Sequence, residues 1–194
     1  YWRSITENKI STDPENEETI RTIIAIDGLG RTIYSAKSGV MTDENGSGET
    51  GWNVSGAVRY DKKGRSIEEG QPGFSPGPDD PVPTSMRNGT VTDYDILDRP
   101  VRVELPDGSV MTTEYGIEEG LPRTISTDPE GRVTETLSDQ RGRIVELRKK
   151  YQSTLLMKSA YSYDVLGQLC EAVIRDEKIS GSPEYTTEYE YDLR

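Results

Sequence analysis

Apolar and polar residues alternate through most of this chain, in short runs bounded by turn residues. Ala57-Val58-Arg59-Tyr60, Val101-Arg102-Val103 and Ile144-Val145-Glu146-Leu147 each send successive side chains to opposite faces, the period of a strand. Between such runs stand Asp, Gly and Pro. No stretch of useful length carries the period of an amphipathic helix; Arg148–Ala160 comes nearest and reads better as a strand with its connection. The pattern predicts an all-β fold, mostly antiparallel, laid down as a repetitive meander of β-hairpins.

The turns repeat as well. One signature recurs: Asp, two variable residues, Gly, Arg, then a β-branched or apolar run. It stands at Asp27-Gly28-Leu29-Gly30-Arg31, Asp61-Lys62-Lys63-Gly64-Arg65, Asp128-Pro129-Glu130-Gly131-Arg132 and Asp139-Gln140-Arg141-Gly142-Arg143. Asp95-Ile96-Leu97-Asp98-Arg99 has Asp98 in the glycine's place, and Asp164-Val165-Leu166-Gly167-Gln168 has Gln in the arginine's. Tyr60, Tyr94, Tyr163 and Tyr191 each precede the Asp of a copy; the last copy is Tyr191-Asp192-Leu193-Arg194, and a degenerate one stands at Asp13-Pro14-Glu15-Asn16.

The chemistry of a tight turn explains these residue types. An Asp side chain accepts hydrogen bonds from backbone N–H groups further on. The variable pair suits the centre of a type I turn, with Pro129 fitted to its first position. Gly then takes the left-handed conformation at a bulge where the second strand departs, and Asp is among the residues that tolerate that conformation. All copies are expected in phase, at the same ends of their hairpins. Leu105-Pro106-Asp107-Gly108-Ser109 reads as a second class of turn at the opposite ends. Successive Asp residues from Asp27 to Asp192 are 34, 34, 33, 11, 25 and 28 residues apart, too irregular for a rigid solenoid.

Composition qualifies this picture. Only 31% of residues are hydrophobic against 30% charged, with 19 glycines and 11 prolines, so hydrophobic layers must be thin; eleven tyrosines still favour strands. Residues 1–194 read as a single repeat segment, with a Pro/Gly-rich inserted loop over residues 70–90 that cannot lie inside a sheet. A net charge of −12 disfavours nucleic acid and polyanionic glycans. The one basic run, Arg148-Lys149-Lys150, reads as a solvated strand end.

Candidate chemistry is sparse. Cys170 is the only cysteine and there is no histidine, so no internal disulfide, zinc site or activated thiol or serine is expected, and no cofactor. No apolar run is long enough to span a membrane as a helix. Asp43-Glu44-Asn45-Gly46-Ser47-Gly48 matches the front of a calcium loop, but Val54 stands where the bidentate Glu belongs, so an acidic loop is the better reading. The carboxylate pairs Glu68-Glu69, Glu118-Glu119 and Asp79-Asp80 are adjacent in sequence and face opposite sides of a strand, which suits no glycosidase. The chain begins at Tyr1 without Met and stops inside a copy, so both ends read as cut.

These motifs together resemble the YD (tyrosine-aspartate) or RHS repeats of bacterial RHS proteins, Tc toxin B and C components, wall-associated proteins and teneurins. Val91–Tyr115 followed by Asp128–Leu147 carries the resemblance best, and it covers roughly residues 20–194. It implies a segment of a large β-shell, secreted or at the cell surface, that encloses a C-terminal toxic cargo in bacterial members. Partners would be the rest of the parent polypeptide and that cargo. Asp27, Gly30, Arg31, Asp61, Gly64, Arg65, Asp95, Arg99, Asp128, Gly131, Arg132, Asp139, Gly142, Arg143, Asp164 and Gly167 are then structural turn residues, and the chain is no enzyme. Some RHS proteins cut themselves at an Asp-Pro-x-Gly sequence; Asp128-Pro129-Glu130-Gly131 reads instead as a turn. The alternative is an adhesion or carbohydrate-binding module displaying Trp2, Trp52 and tyrosines. Exposed sheet edges predict self-association.

Overall fold

The computed structural model describes residues 1–9, 19–42, 44, 46–79, 81, 88–178 and 183–192. Its elements are strands, as the alternation predicts. Asp43, Asn45, Asp80, the degenerate copy Asp13-Pro14-Glu15-Asn16 and the Leu193-Arg194 end of the last copy lie outside the described residues. The chain divides into two compact units, Tyr1–Ser109 and Val110–Arg194.

The first unit holds β1 (Trp2–Lys9), β2 (Thr19–Ile26), β3 (Thr32–Thr42), β4 (Gly48–Ser55), β5 (Val58–Tyr60), β6 (Ser66–Glu69), β7 (Gly73–Pro76), β8 (Thr90–Tyr94) and β9 (Pro100–Glu104). A five-stranded antiparallel sheet runs β1-β2-β3-β4-β7, and β9-β8-β6-β5 are hydrogen-bonded in that order. The main core sits on the first sheet. Register places Ile23 opposite Ala36, Ala25 opposite Tyr34, and Ala36 opposite Val54, so one face gathers the buried Ile23, Ala25, Tyr34, Ala36, Trp52 and Val54, joined by Ala57. The Tyr34 hydroxyl donates to the Pro81 carbonyl at 3.0 Å.

The Pro/Gly-rich stretch read as a loop over 70–90 contains a strand, β7. It pairs with β4 at the edge of the sheet, where Pro76 stands at the end of the pairing and leaves no interior donor missing. Gly51 makes the pairing possible: a Cβ there would lie 2.3 Å from the Ser75 carbonyl oxygen and 2.6 Å from the Phe74 ring.

The second unit is a meander of β10 (Val110–Glu118), β11 (Leu121–Thr127), β12 (Arg132–Ser138), β13 (Ile144–Tyr151), β14 (Thr154–Tyr163), β15 (Leu169–Asp176) and β16 (Glu184–Glu188), each paired with the next. Its apolar core is thin. Leu137 and Ala172 are the buried hydrophobic side chains among its described residues, and Glu135 and Ser159 are buried beside them.

Candidate functional site

The recurring turn has one geometry. In each complete copy the Asp N–H donates to the carbonyl of the residue four further on, and the residue in the glycine position donates back to the Asp carbonyl, as at Asp61, Arg65 and Gly64 (3.0 Å each). One Asp oxygen accepts two further backbone N–H groups; for Asp61 these are Lys63 at 2.8 Å and Arg65 at 3.0 Å. The other oxygen receives the arginine fork, with Arg65 Nε at 2.7 Å and Nη2 at 2.6 Å. Asp27–Arg31, Asp95–Arg99 and Asp139–Arg143 repeat the fork, whereas Arg132 gives Nε to Asp128 at 2.6 Å and Nη2 to Glu130 at 3.0 Å. Asp164 keeps the turn and accepts the Gln168 N–H at 2.8 Å.

The turns are also linked to one another, by the tyrosines. The Arg31 guanidinium lies over the Tyr60 ring at 3.9 Å, Arg65 over Tyr94 at 4.8 Å, and Arg143 over Tyr163 at 4.6 Å. Each tyrosine hydroxyl donates to the carbonyl just after the preceding turn: Tyr94 to Ser66 and Tyr163 to Ile144, both at 2.8 Å, and Tyr191 to Leu169 at 3.0 Å. The aspartate therefore closes its own hairpin, and the arginine it orients carries the link to the next. These rings bridge one turn and the next.

Asp98 is more than a tolerated substitute for glycine. It takes the left-handed conformation with φ 63°. Its carboxylate accepts Arg65 Nη1 at 2.6 Å and Lys63 Nζ at 3.0 Å, both from the preceding turn. Where glycine stands instead, the preceding arginine needs the space: a Cβ on Gly64 would meet Arg31 Nη1 at 2.8 Å. The Asp98 contact reinforces a weak seam, for β6 and β8 share only two register pairs, Glu68–Val91 and Glu69–Thr90. Asp98→Gly is accordingly expected to lower the midpoint of thermal unfolding, although it relieves a left-handed residue. An unchanged or raised midpoint would show that the ion pairs carry nothing.

One copy is out of phase. The Asp128 turn joins β11 to β12 and the Asp139 turn joins β12 to β13, so the two sit at opposite ends of one strand. The 11-residue spacing between them is a strand plus a turn. Arg132 is the most exposed of the turn arginines, with 62% of its side chain accessible.

Asp27, Asp61, Asp95, Asp98, Asp128 and Asp139 titrate low. Hydrogen bonds from the Arg31 and Arg99 backbone hold Asp27 and Asp95 below the ordinary value of 3.8, with the side-chain forks adding to them. At Asp128 the Arg132 side chain is the larger cause. At Asp98 it is the Lys63 side chain. Partial burial would raise Asp61, but its bonds to Arg65 and Lys63 outweigh it. A carboxyl with a lowered folded pKa contributes stability above its unfolded value and loses it as pH falls through the folded one. The melting midpoint is therefore expected to hold from neutrality to about pH 4 and to fall steeply below it. Melts followed by circular dichroism check this, and equal midpoints at pH 2 and pH 7 would refute it.

A second cluster, which the sequence reading missed, crosses five strands on one face of the second unit. Glu135 on β12 is fully buried. It is bound by Arg123 from β11 and by Lys150 from β13 at 2.5 Å, with Arg148 Nη1 at 3.4 Å. Glu118 from β10 bridges Arg123 at 3.1 Å and Arg148 at 2.9 Å. Glu146 joins Arg148 at 2.5 Å to Lys158 of β14 at 3.1 Å. Burial pushes the Glu135 carboxyl up, but hydrogen bonds from Lys150 and Arg123 outweigh it and hold the group below its usual range. Arg148 and Lys150, read from sequence as part of a solvated strand end, are thus half-buried partners of an acid. The signal was the alternation Val133, Glu135, Leu137, which sets Glu135 on a face with apolar neighbours.

The remaining candidates carry structure. Glu68 accepts Arg59 Nε at 2.8 Å and Glu69 accepts the Ser66 hydroxyl at 2.9 Å. Cys170 is half-buried, its thiol 3.7 Å from the Gln168 carbonyl. No cluster of three potential metal ligands stands among the described residues.

Antiparallel hairpins closed by a shared Asp–Arg turn, and linked turn to turn through tyrosine, define a hairpin-repeat protein, the class that the YD/RHS motifs indicate. Solved structures of Tc toxin components share the fold. They include TcdB2-TccC3-TEV (21% identity, TM-score 0.59), TcdB2-TccC3-Cdc42 (20%, 0.60) and the Photorhabdus luminescens Tc holotoxin pore with a mutation in TccC3 (20%, 0.58). Each match covers 88% of this chain and 10% of the other, so the chain spans a tenth of the length of the proteins it resembles. No family model and no curated protein matches the chain.

Proposed function

We propose that this chain is a stretch of wall in a larger, exported toxin-complex-like protein, a scaffold that encloses a C-terminal cargo and performs no catalysis itself. The observation that carries this reading is the relay from each turn to the next. Arg31 to Tyr60, Arg65 to Tyr94 and Arg143 to Tyr163 fix the spacing of hairpins by contacts from one turn to the next. The rest of the parent polypeptide is the expected partner, and the fold likeness supports a secreted or surface location. Among the described residues no helix is long and apolar enough to cross a membrane, which says nothing about a β-barrel. The carbohydrate-binding alternative loses an anchor, because Trp52 is only 2% exposed.

Limited proteolysis of the natural polypeptide tests the wall. The segment beyond the hairpins is expected to resist cleavage until Arg65→Ala and Arg143→Ala open the relay. Cleavage of that segment at the same rate in the unaltered protein would end the enclosure reading.

A further inference from the structure

Arg143 carries a donor that its own turn does not use. Nε and Nη2 go to Asp139, both at 2.7 Å, and the guanidinium lies over the Tyr163 ring. Nη1 is buried and, among the described residues, meets no acceptor. A buried donor left without a partner is costly, so its position calls for a reason.

The Asp61 and Asp95 turns, a pair linked in the same way, show what such a donor takes. Arg65 is the counterpart of Arg143: it forks on Asp61, and its Nη1 reaches the Asp98 carboxylate at 2.6 Å. Lys63 adds its Nζ to the same carboxylate oxygen at 3.0 Å and lies 3.5 Å from the Ile96 carbonyl. Arg141 stands where Lys63 stands. Each gives its backbone N–H to the aspartate of its own turn at 2.8 Å, and Arg141 Nη1 lies 3.5 Å from the Val165 carbonyl, the counterpart of Ile96. Two cations are therefore aimed alike in both pairs of turns, and Arg141 makes no ion pair among the described residues. The difference is the acid: Gly167 replaces Asp98.

There is room for that acid. Apart from its chain neighbours, a Cβ on Gly167 would have only Arg143 Nη1 within 4 Å, at 3.4 Å, an ordinary contact. Arg143 is 27% accessible against 22% for Arg65, so a guanidinium held this way is within reach of a carboxylate as exposed as Asp98, at 55%. The Gly64 copy lacks both features. Leu29 occupies the position of the second cation, and a Cβ would crowd Arg31 Nη1 at 2.8 Å. We propose that the Asp139 and Asp164 turns form a receptor for a carboxylate from outside the pair, bound by Arg141 and by Arg143 Nη1 where Asp98 stands in the other pair. A small carboxylate anion and an acidic side chain of a polypeptide bring the same group.

Arginine side-chain NMR of the protein, titrated with sodium acetate against sodium chloride at equal ionic strength, tests the site. Acetate is expected to shift the Arg141 and Arg143 guanidinium signals saturably, and chloride is not. Arg141→Gln should weaken acetate binding about threefold, the worth of one exposed ion pair. Gly167→Asp supplies the acid from within and should abolish the response. It should also melt above Gly167→Asn, since Asp and Asn tolerate the left-handed conformation alike and only Asp brings the charge. A hexaglutamate peptide separates the sources: saturation at a carboxylate concentration well below that of acetate marks an acidic segment as the occupant, and equal potency per carboxylate marks a free anion. Acetate shifts no larger than those of chloride would overturn the proposal. So would a full response in Gly167→Asp, or one indifferent to Arg141→Gln.

Discussion

Glu135→Gln is expected to cost about 3 kcal/mol of stability, near the low end for breaking a buried ion pair by removing one partner. Glutamine keeps the volume and removes the charge. Arg123, Arg148 and Lys150 then converge on a neutral amide in a site without access to water at its centre. The low end applies because these three cations are 20–31% accessible and can turn partly outward, and because Glu118 and Glu146 still neutralise Arg148. For a chain of this size the melting midpoint should fall by roughly 6–12 °C. Glu114, exposed and on the same face, provides the control: Gln there is expected to change stability by no more than about 0.5 kcal/mol. Equal midpoints for the two variants would mean that the buried cluster contributes no more than surface charge.

Gly64→Ala should be the most damaging change within the turns, at about 2 kcal/mol, whereas Gly131→Ala should cost about 1. Both glycines are left-handed, with φ 89° and 79°. A Cβ on Gly131 meets nothing within 4 Å, so the substitution is charged only for conformation. At Gly64 the Cβ also enters the space of Arg31 Nη1, and the guanidinium must leave the Tyr60 ring or the turn must shift. Chemical denaturation of the two variants separates the contributions. If Gly64→Ala costs no more than Gly131→Ala, the glycine serves its own turn alone and the link to Arg31 is incidental.

Much of this arrangement is legible in the sequence because a turn is a local object. Asp61, Gly64 and Arg65 are within five residues, and the donors and acceptors that close the turn are all named there. The all-β meander is legible for the same reason, since alternation fixes strand faces residue by residue. What escapes is whatever depends on counting strands or on contacts between turns. Asp128 bears the same motif as Asp139, yet only the short strand between them shows that they lie at opposite ends. Asp98 reads as a tolerated glycine substitute until Lys63 and Arg65 are brought beside it. β7 was hidden because its neighbours are Gly and Pro, residues that speak against a ladder but not against its outermost strand. Glu135 was hidden among thirty-five acidic residues, where charge alone argues for solvent.

The tyrosine contacts have a direction. Arg31 waits for Tyr60, Arg65 for Tyr94 and Arg143 for Tyr163, always toward the C-terminus. A polypeptide emerging from the ribosome therefore finishes each hairpin one hairpin late, its newest arginine uncovered until the next tyrosine arrives. In these three hairpins the contacts become available in the order in which the chain is synthesised.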